Sequence, residues 1–245
     1  MPTAARRALI AGLGLIGGSI GIALRRRGWR VLYLDPHVDD PRDAADERVY
    51  ELVDVDLTIL ATPVDVALRL IAADRRTTST CSVMQPLRAI GGERFIAGHP
   101  LAGSEQRGLD AARADLFAGK RWFLDREDPL VLQAIADCDA IPELVTAEEH
   151  DRVMALTSHL PQVLSTALGA LLADEDPRFV GTGAKTFLRL AGSEASVWAP
   201  VLAANRGNIR AHFERFVEIA RAVIEDDPEA AFGRAQQLWK ELSAE

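Results

Sequence analysis

The sequence predicts an α/β protein in two parts, a Rossmann-type dinucleotide-binding domain over residues 1–145 followed by an all-helical domain over residues 146–245. Three observations carry that reading. A glycine-rich turn sits between two apolar runs near the start, three further apolar runs each end in small or polar residues, and apolar residues recur at helical spacing beyond residue 146. With 48% hydrophobic residues in 245, the chain can bury a substantial core.

The first element is the stretch "RALIAGLGLIGGSIGIALRRRGWRVLYLD": a strand, a glycine turn, a helix from about Ile16 to Arg27, and a second strand ending at Asp35. In this GxGxxG spacing Gly12 permits the tight turn, Gly14 lets backbone approach a pyrophosphate, and Gly17 lets the helix pack on the strand. The cofactor loop is therefore Gly12, Leu13, Gly14, Leu15, Ile16 and Gly17, with N–H groups at the helix start offered to the anion. Asp35, 23 residues after Gly12, suits the ribose hydroxyls and opposes a 2′-phosphate, which favours NAD over NADP. The uncharged run Ala8–Leu24 superficially resembles a membrane or signal segment, but its five glycines and the following "RRRGW" argue against both.

The next apolar run, "VDLTILATP", ends in Thr62 and Pro63, where a doubly wound sheet places its ligand loops. "TSTCSVMQPL" and "RFIAGHPLAG" repeat the pattern, which sets Ser82 and His99 at the nicotinamide end of the crevice. The segment from Asp35 to Val55 is too short for a full second crossover helix.

Beyond residue 146, "TAEEHDRVMALTSHLPQVLSTALGALLAD" opens on a Thr146 to Glu149 capping box and reads as one helix, bent at Pro161 and buried in protein. "SVWAPVLAANRGNIRAHFERFVEIARAVI" reads as another long helix, and Asp227 with Pro228 starts a last one. The formal net charge of -8, without a basic block, argues against nucleic acid as a partner. Cys81 and Cys138 lack both disulfide and metal-ligand spacing, so no metal site is expected and a reducing cytoplasm is.

Four blocks, "AGLGLIGGS", "HPLAGSEQRGLDAARADLFAGKRW", "EEHDRVMALTSHLPQVLSTAL" and "RLAGSEASVWAPVLAANRGNI", resemble in order and spacing the prephenate and arogenate dehydrogenases of tyrosine biosynthesis. The resemblance implies a helical dimerisation domain, a homodimer, and prephenate or arogenate held between the two domains. It implies NAD-dependent hydride transfer with loss of CO2, driven by aromatisation. His99 corresponds to the catalytic histidine, neutral so that it can take the 4-hydroxyl proton. Ser82 corresponds to a serine that supports it. Arg189 in "FLRLAGS" corresponds to the arginine that grips a substrate carboxylate, and His159 and Gln162 of "SHLPQ" are placed beside the substrate.

The chain also departs from the family pattern. Gln162 stands where many members have histidine, and "TSTCSVM" replaces "TDVGSVK", with Ser79 for the acid and Met84 for the lysine, so electrostatic support is expected to be missing. Two other readings share the glycine loop: a hydroxyacid dehydrogenase or imine reductase of the same architecture, which lacks the paired "HPLAGSE" and "SHLP" blocks, and a non-catalytic NAD-binding sensor.

Overall fold

The computed structural model describes residues 5–72, 74–103, 106–225 and 228–244. β1 (Arg7–Ala11), α1 (Leu15–Arg26) and β2 (Arg30–Leu34) form the expected strand, turn, helix and strand. Residues 8 to 11 of β1 are completely buried, as a strand covered on both faces must be. Gly12 has a φ of 90°, a conformation that costs a side chain strain, and a Cβ there would lie 2.5 Å from the Ala61 carbonyl oxygen. A Cβ on Gly17 would collide with the Gly12 carbonyl oxygen. α1 thus lies directly on the sheet.

β3 (Glu47–Arg48), β4 (Leu57–Leu60), α2 (Val64–Leu70), β5 (Thr77–Ser79), α3 (Gln85–Ile90) and β6 (Phe95–Ile96) complete a parallel sheet of six strands in the order β3-β2-β1-β4-β5-β6. Between β2 and β3 a single 3-10 turn, Arg42–Ala44, stands in place of a crossover helix, as the short segment implied. The winding direction reverses between β1 and β4, and ligands of such sheets bind outside the carboxyl ends at that point. No helix among the described residues is long and apolar enough to cross a membrane.

His99 is not on a loop after a parallel strand. β7 (Gly98–Pro100) leaves the first sheet and pairs antiparallel with β8 (Arg121–Leu124), setting His99 opposite Phe123. After α4 (Pro129–Asp137), β9 (Ile141–Leu144) adds to β8 in parallel. Gly98 makes the crossing possible, since a Cβ there would lie 2.8 Å from the Ser79 carbonyl oxygen. The buried Ser79 hydroxyl fastens it, donating to the Gly98 carbonyl at 3.2 Å and accepting from the Gly98 N–H at 3.3 Å.

α5 (Ala147–Met154) begins as expected, with Thr146 Oγ1 accepting from the Glu149 N–H at 3.1 Å. The single bent helix is instead three pieces: α5, a π-helical segment Ala155–His159, and α6 (Leu160–Leu171). Pro161 explains the wide turn, because its ring has no N–H to donate and would clash with the carbonyl four residues back. α6 buries Leu160, Gln162 and Ser165 but leaves Leu171 76% exposed, so this chain alone does not enclose it. After α7 (Thr182–Phe187), the second long helix is also divided, into α8 (Ala195–Ala204) and α9 (Arg206–Glu225). The break is at Asn205, whose buried carboxamide faces His159 Nδ1 at 3.1 Å and accepts from Asn208 Nδ2 at 2.8 Å. α10 (Pro228–Leu242) is last, and its expected cap, Asp227, lies outside the described residues.

Two compact units result, Met1–Met154 with Glu194–Ala204, and Ala155–Ser193 with Asn205–Glu245. α5 and α8, which a division at residue 145 gives to the helical half, lie in the first unit. Val201 of α8 is buried in the same cluster as Val64 and Ala67 of α2. Replacing Ser79 by Ala should strand the buried Gly98 N–H and lower the unfolding free energy by about 1–3 kcal/mol. Urea titration measures this, and an unchanged midpoint would mean that the bond contributes nothing.

Candidate active site

The carboxyl ends of β1, β2 and β4 gather the residues singled out for the dinucleotide. Gly14 caps α1 without a side-chain bond, no acidic residue occupies the first turn, and a Cβ at Gly14 would meet nothing within 4 Å. The N–H groups of Leu15, Ile16 and Gly17 have no intrahelical acceptor, and the space beside Gly14 at the start of the helix is open. Leu13 contributes differently, because its side chain is wholly buried while its N–H donates to Asp35 Oδ2 at 2.8 Å. Asp35 Oδ1 accepts from the His37 N–H at 2.8 Å, and each oxygen retains a lone pair for a ribose hydroxyl.

Arg48 on β3, missed in the sequence, sits against the same turn. Its guanidinium donates to Asp39 at 2.7 Å and to the Asp35 carbonyl at 3.1 Å, which holds the turn. Thr62 lies beside Gly12, whose added Cβ would be 3.0 Å from Thr62 Cγ2. The Thr62 hydroxyl is buried without a partner among the described residues, and Pro63 caps α2. An open glycine cradle, a pre-oriented carboxylate and an unpartnered hydroxyl fit a dinucleotide.

His99, half-buried on β7, places Nδ1 2.9 Å from Nε2 of His150. His150 in turn places Nδ1 2.8 Å from Asp151 Oδ1. The Asp151 carboxylate accepts the Met84 N–H at 2.7 Å on Oδ1 and the Gln85 N–H at 2.8 Å on Oδ2. His150 and Asp151 are almost sealed from water, at 2% and 1% exposure. Ser82, in the loop between β5 and α3, forms no hydrogen bond with His99 among the described residues, whereas His150 does. The signal for it is in α5, where the buried set Ala147, His150, Asp151 and Met154 falls at i, i+3, i+4 and i+7. That is a core stripe with a polar pair in its middle.

In the second unit His159 is completely buried and faces Asn205. Gln162 is buried too, its Nε2 donating to Thr166 Oγ1 at 3.0 Å and to the Leu190 carbonyl at 2.9 Å, while Oε1 has no partner among the described residues. Arg189 is exposed on the 3-10 turn Leu188–Gly192. Burial pushes the thiols of Cys81 and Cys138 up to about 12, which removes both as nucleophiles at neutral pH. Among the described residues no group of three His, Cys, Asp or Glu is placed to hold a metal ion.

Two family descriptions match this sequence. "Prephenate dehydrogenase, nucleotide-binding domain" covers residues 23–140 and "Prephenate dehydrogenase, dimerization domain" covers residues 146–232. The "Probable prephenate dehydrogenase NovF" of Streptomyces niveus is 32% identical over 256 residues, spanning 90% of this chain and 68% of that protein. The chain belongs to the prephenate dehydrogenase family. A cyclohexadienyl dehydrogenase of Zymomonas mobilis is 28% identical over 85% of this chain and 84% of its own. In fold, the chain is similar to the prephenate dehydrogenase of A. aeolicus solved with hydroxyphenyl propionate and NAD+, with a TM-score of 0.82 at 24% identity and 100% of both chains covered. The first family match begins after the glycine loop, so for this prephenate dehydrogenase family member the loop is assigned by its own geometry.

Proposed function

We propose that the protein oxidises prephenate to 4-hydroxyphenylpyruvate, or arogenate to tyrosine, with loss of CO2 and transfer of hydride to NAD, in the biosynthesis of tyrosine. The observation that carries this is the hydrogen-bonded chain behind His99, which prepares an imidazole as a base in a member of this family. NAD, held by the glycine loop, Asp35, Thr62 and Pro63, would supply the acceptor for the hydride that leaves substrate C4. The chain's own residues handle proton and position. His99 takes the 4-hydroxyl proton at Nε2, and the O–H electron pair becomes the second bond of a carbonyl as hydride departs. The ring carboxylate then leaves as CO2, its electron pair aromatises the ring, and the phenol oxygen recovers the proton. No net proton is consumed.

Arg189 is proposed to grip a substrate carboxylate, with His159 and Gln162 beside the substrate side chain and Ser82 at the nicotinamide end; their support is the sequence resemblance. A silent NAD sensor has no need of a complete chain behind His99. The two cysteines are free and buried, which supports the cytoplasm as the compartment. A homodimer is supported by α10, none of whose 15 residues is buried although it carries Phe232, Leu238 and Trp239.

Assays of NADH formation with prephenate and with arogenate test the activity, and turnover of neither would overturn it. His99→Asn should keep NAD affinity and lose ~10² to 10⁴ in kcat, whereas Arg189→Ala should chiefly raise KM, because it binds a charge present in ground and transition states alike. Asp35 opposes a 2′-phosphate, so kcat/KM should be higher with NAD than with NADP; parity would remove that role. Light scattering at micromolar concentration should give the mass of two chains, against which a stable monomer would count.

A further inference from the structure

We infer that His150 and Asp151 are positioning residues for the reaction: a buried carboxylate and imidazole that fix which nitrogen of His99 carries the proton and stabilise its charge during turnover. This rests on the proposal that His99 is the base. Each Asp151 oxygen accepts a backbone N–H, from Met84 at 2.7 Å and Gln85 at 2.8 Å, so the carboxylate is anchored as an acceptor. Its bond to the neighbouring ring then takes a proton from His150 Nδ1, at 2.8 Å. An imidazole protonated at Nδ1 presents a lone pair at Nε2. His150 Nε2, 2.9 Å from His99 Nδ1, must therefore accept, which puts the His99 proton on Nδ1 and leaves its Nε2 as the basic nitrogen. One anchored anion thus sets two tautomers in succession.

The same chain answers the electrostatic problem. When the substrate O–H bond breaks and the N–H bond forms at His99 Nε2, the ring becomes a cation. With both partner side chains 2% exposed or less, water cannot solvate that charge from behind. The Asp151 anion, reached through one polarisable ring, does so in a medium where the interaction is weakly screened. Since the phenol oxygen takes the proton back, the chain need only hold the charge for the lifetime of the step. Phe123, opposite His99 on β8, packs edge-on against the His150 ring with centroids 5.8 Å apart and keeps it from turning.

The test compares Asp151→Asn, His150→Gln, His150→Phe and His99→Asn in the full-length protein, reading kcat, KM, NAD dissociation constant and melting temperature for each. Asp151→Asn removes the anion, and whichever way the carboxamide turns, its NH2 group meets a backbone N–H, of Met84 or of Gln85, that the carboxylate accepted, so both the fixed acceptor for His150 Nδ1 and the charge behind His99 are weakened. kcat should fall by ~10² to 10⁴, with KM and NAD affinity within about twofold of the parent. His150→Gln retains an acceptor for His99 Nδ1 and should turn over at least about tenfold faster than His150→Phe, which removes it. Should Asp151→Asn fail to fold, the His150 pair decides alone. Near-parental turnover in Asp151→Asn with His99→Asn inactive would overturn the inference and leave His99 as the base. Near-parental turnover in His99→Asn would overturn both. Equal losses in the two His150 variants, tracking their melting temperatures, would reduce the pair to core filling.

Discussion

The first unit depends on how closely α1 can lie against its surroundings, and that distance is set by missing side chains. A Cβ at Gly17 would strike the Gly12 carbonyl, one at Gly21 would strike the Ala44 carbonyl, and one at Gly18 would lie 2.6 Å from Leu109 Cδ1. The helix's own entry turn and two segments remote in sequence thus rest on one bare helix face. Each glycine costs the helix about 1 kcal/mol relative to alanine. Complete burial of a side chain such as Ile20 or Leu24 contributes about 1.5–3 kcal/mol, so contact outweighs the propensity lost. The same helix start has first-turn N–H groups without intrahelical acceptors and open space at Gly14, so a packing constraint and an anion cradle share one turn.

Features written into local sequence were legible, and features that depend on distant pairing were not. The strand, glycine turn, helix and Asp35 lie within 29 consecutive residues, and each has a reason that its neighbours supply. The missing crossover helix was legible from length alone. By contrast β7 is three residues long, too short to display a period of two, and only its pairing with β8 identifies it as a strand. The π-helical turn and the break at Asn205 arise from one residue each, Pro161 and Asn205, inside runs whose apolar spacing continues undisturbed. Periodicity reports which face is buried and is blind to a change in winding.

The departures from the family pattern look different once their neighbours are known. Ser79, in place of an acid, fastens the backbone next to His99 with a buried hydroxyl. Met84, in place of a lysine, is wholly buried and offers its N–H to Asp151, 67 residues away. The charge missing from this stretch is on α5. Sequence reasoning passed over it because an acid near the start of a helix has a sufficient explanation in capping and the helix dipole, whereas Asp151 points inward on the helix's buried stripe.

The path of the chain carries a consequence for inheritance. It passes from one unit to the other at Met154–Ala155, returns at Ser193–Glu194 and leaves again at Ala204–Asn205. No single cut in the gene separates the units. A fragment ending near residue 145 would carry the glycine loop and His99 but lack His150, Asp151 and the α8 residues that complete its core. Recombination between relatives at the apparent domain boundary would pair a base from one parent with the histidine and carboxylate behind it from another. Such a junction is tolerated only where both parents keep those partners, so the two halves of this protein are bound to evolve as one piece.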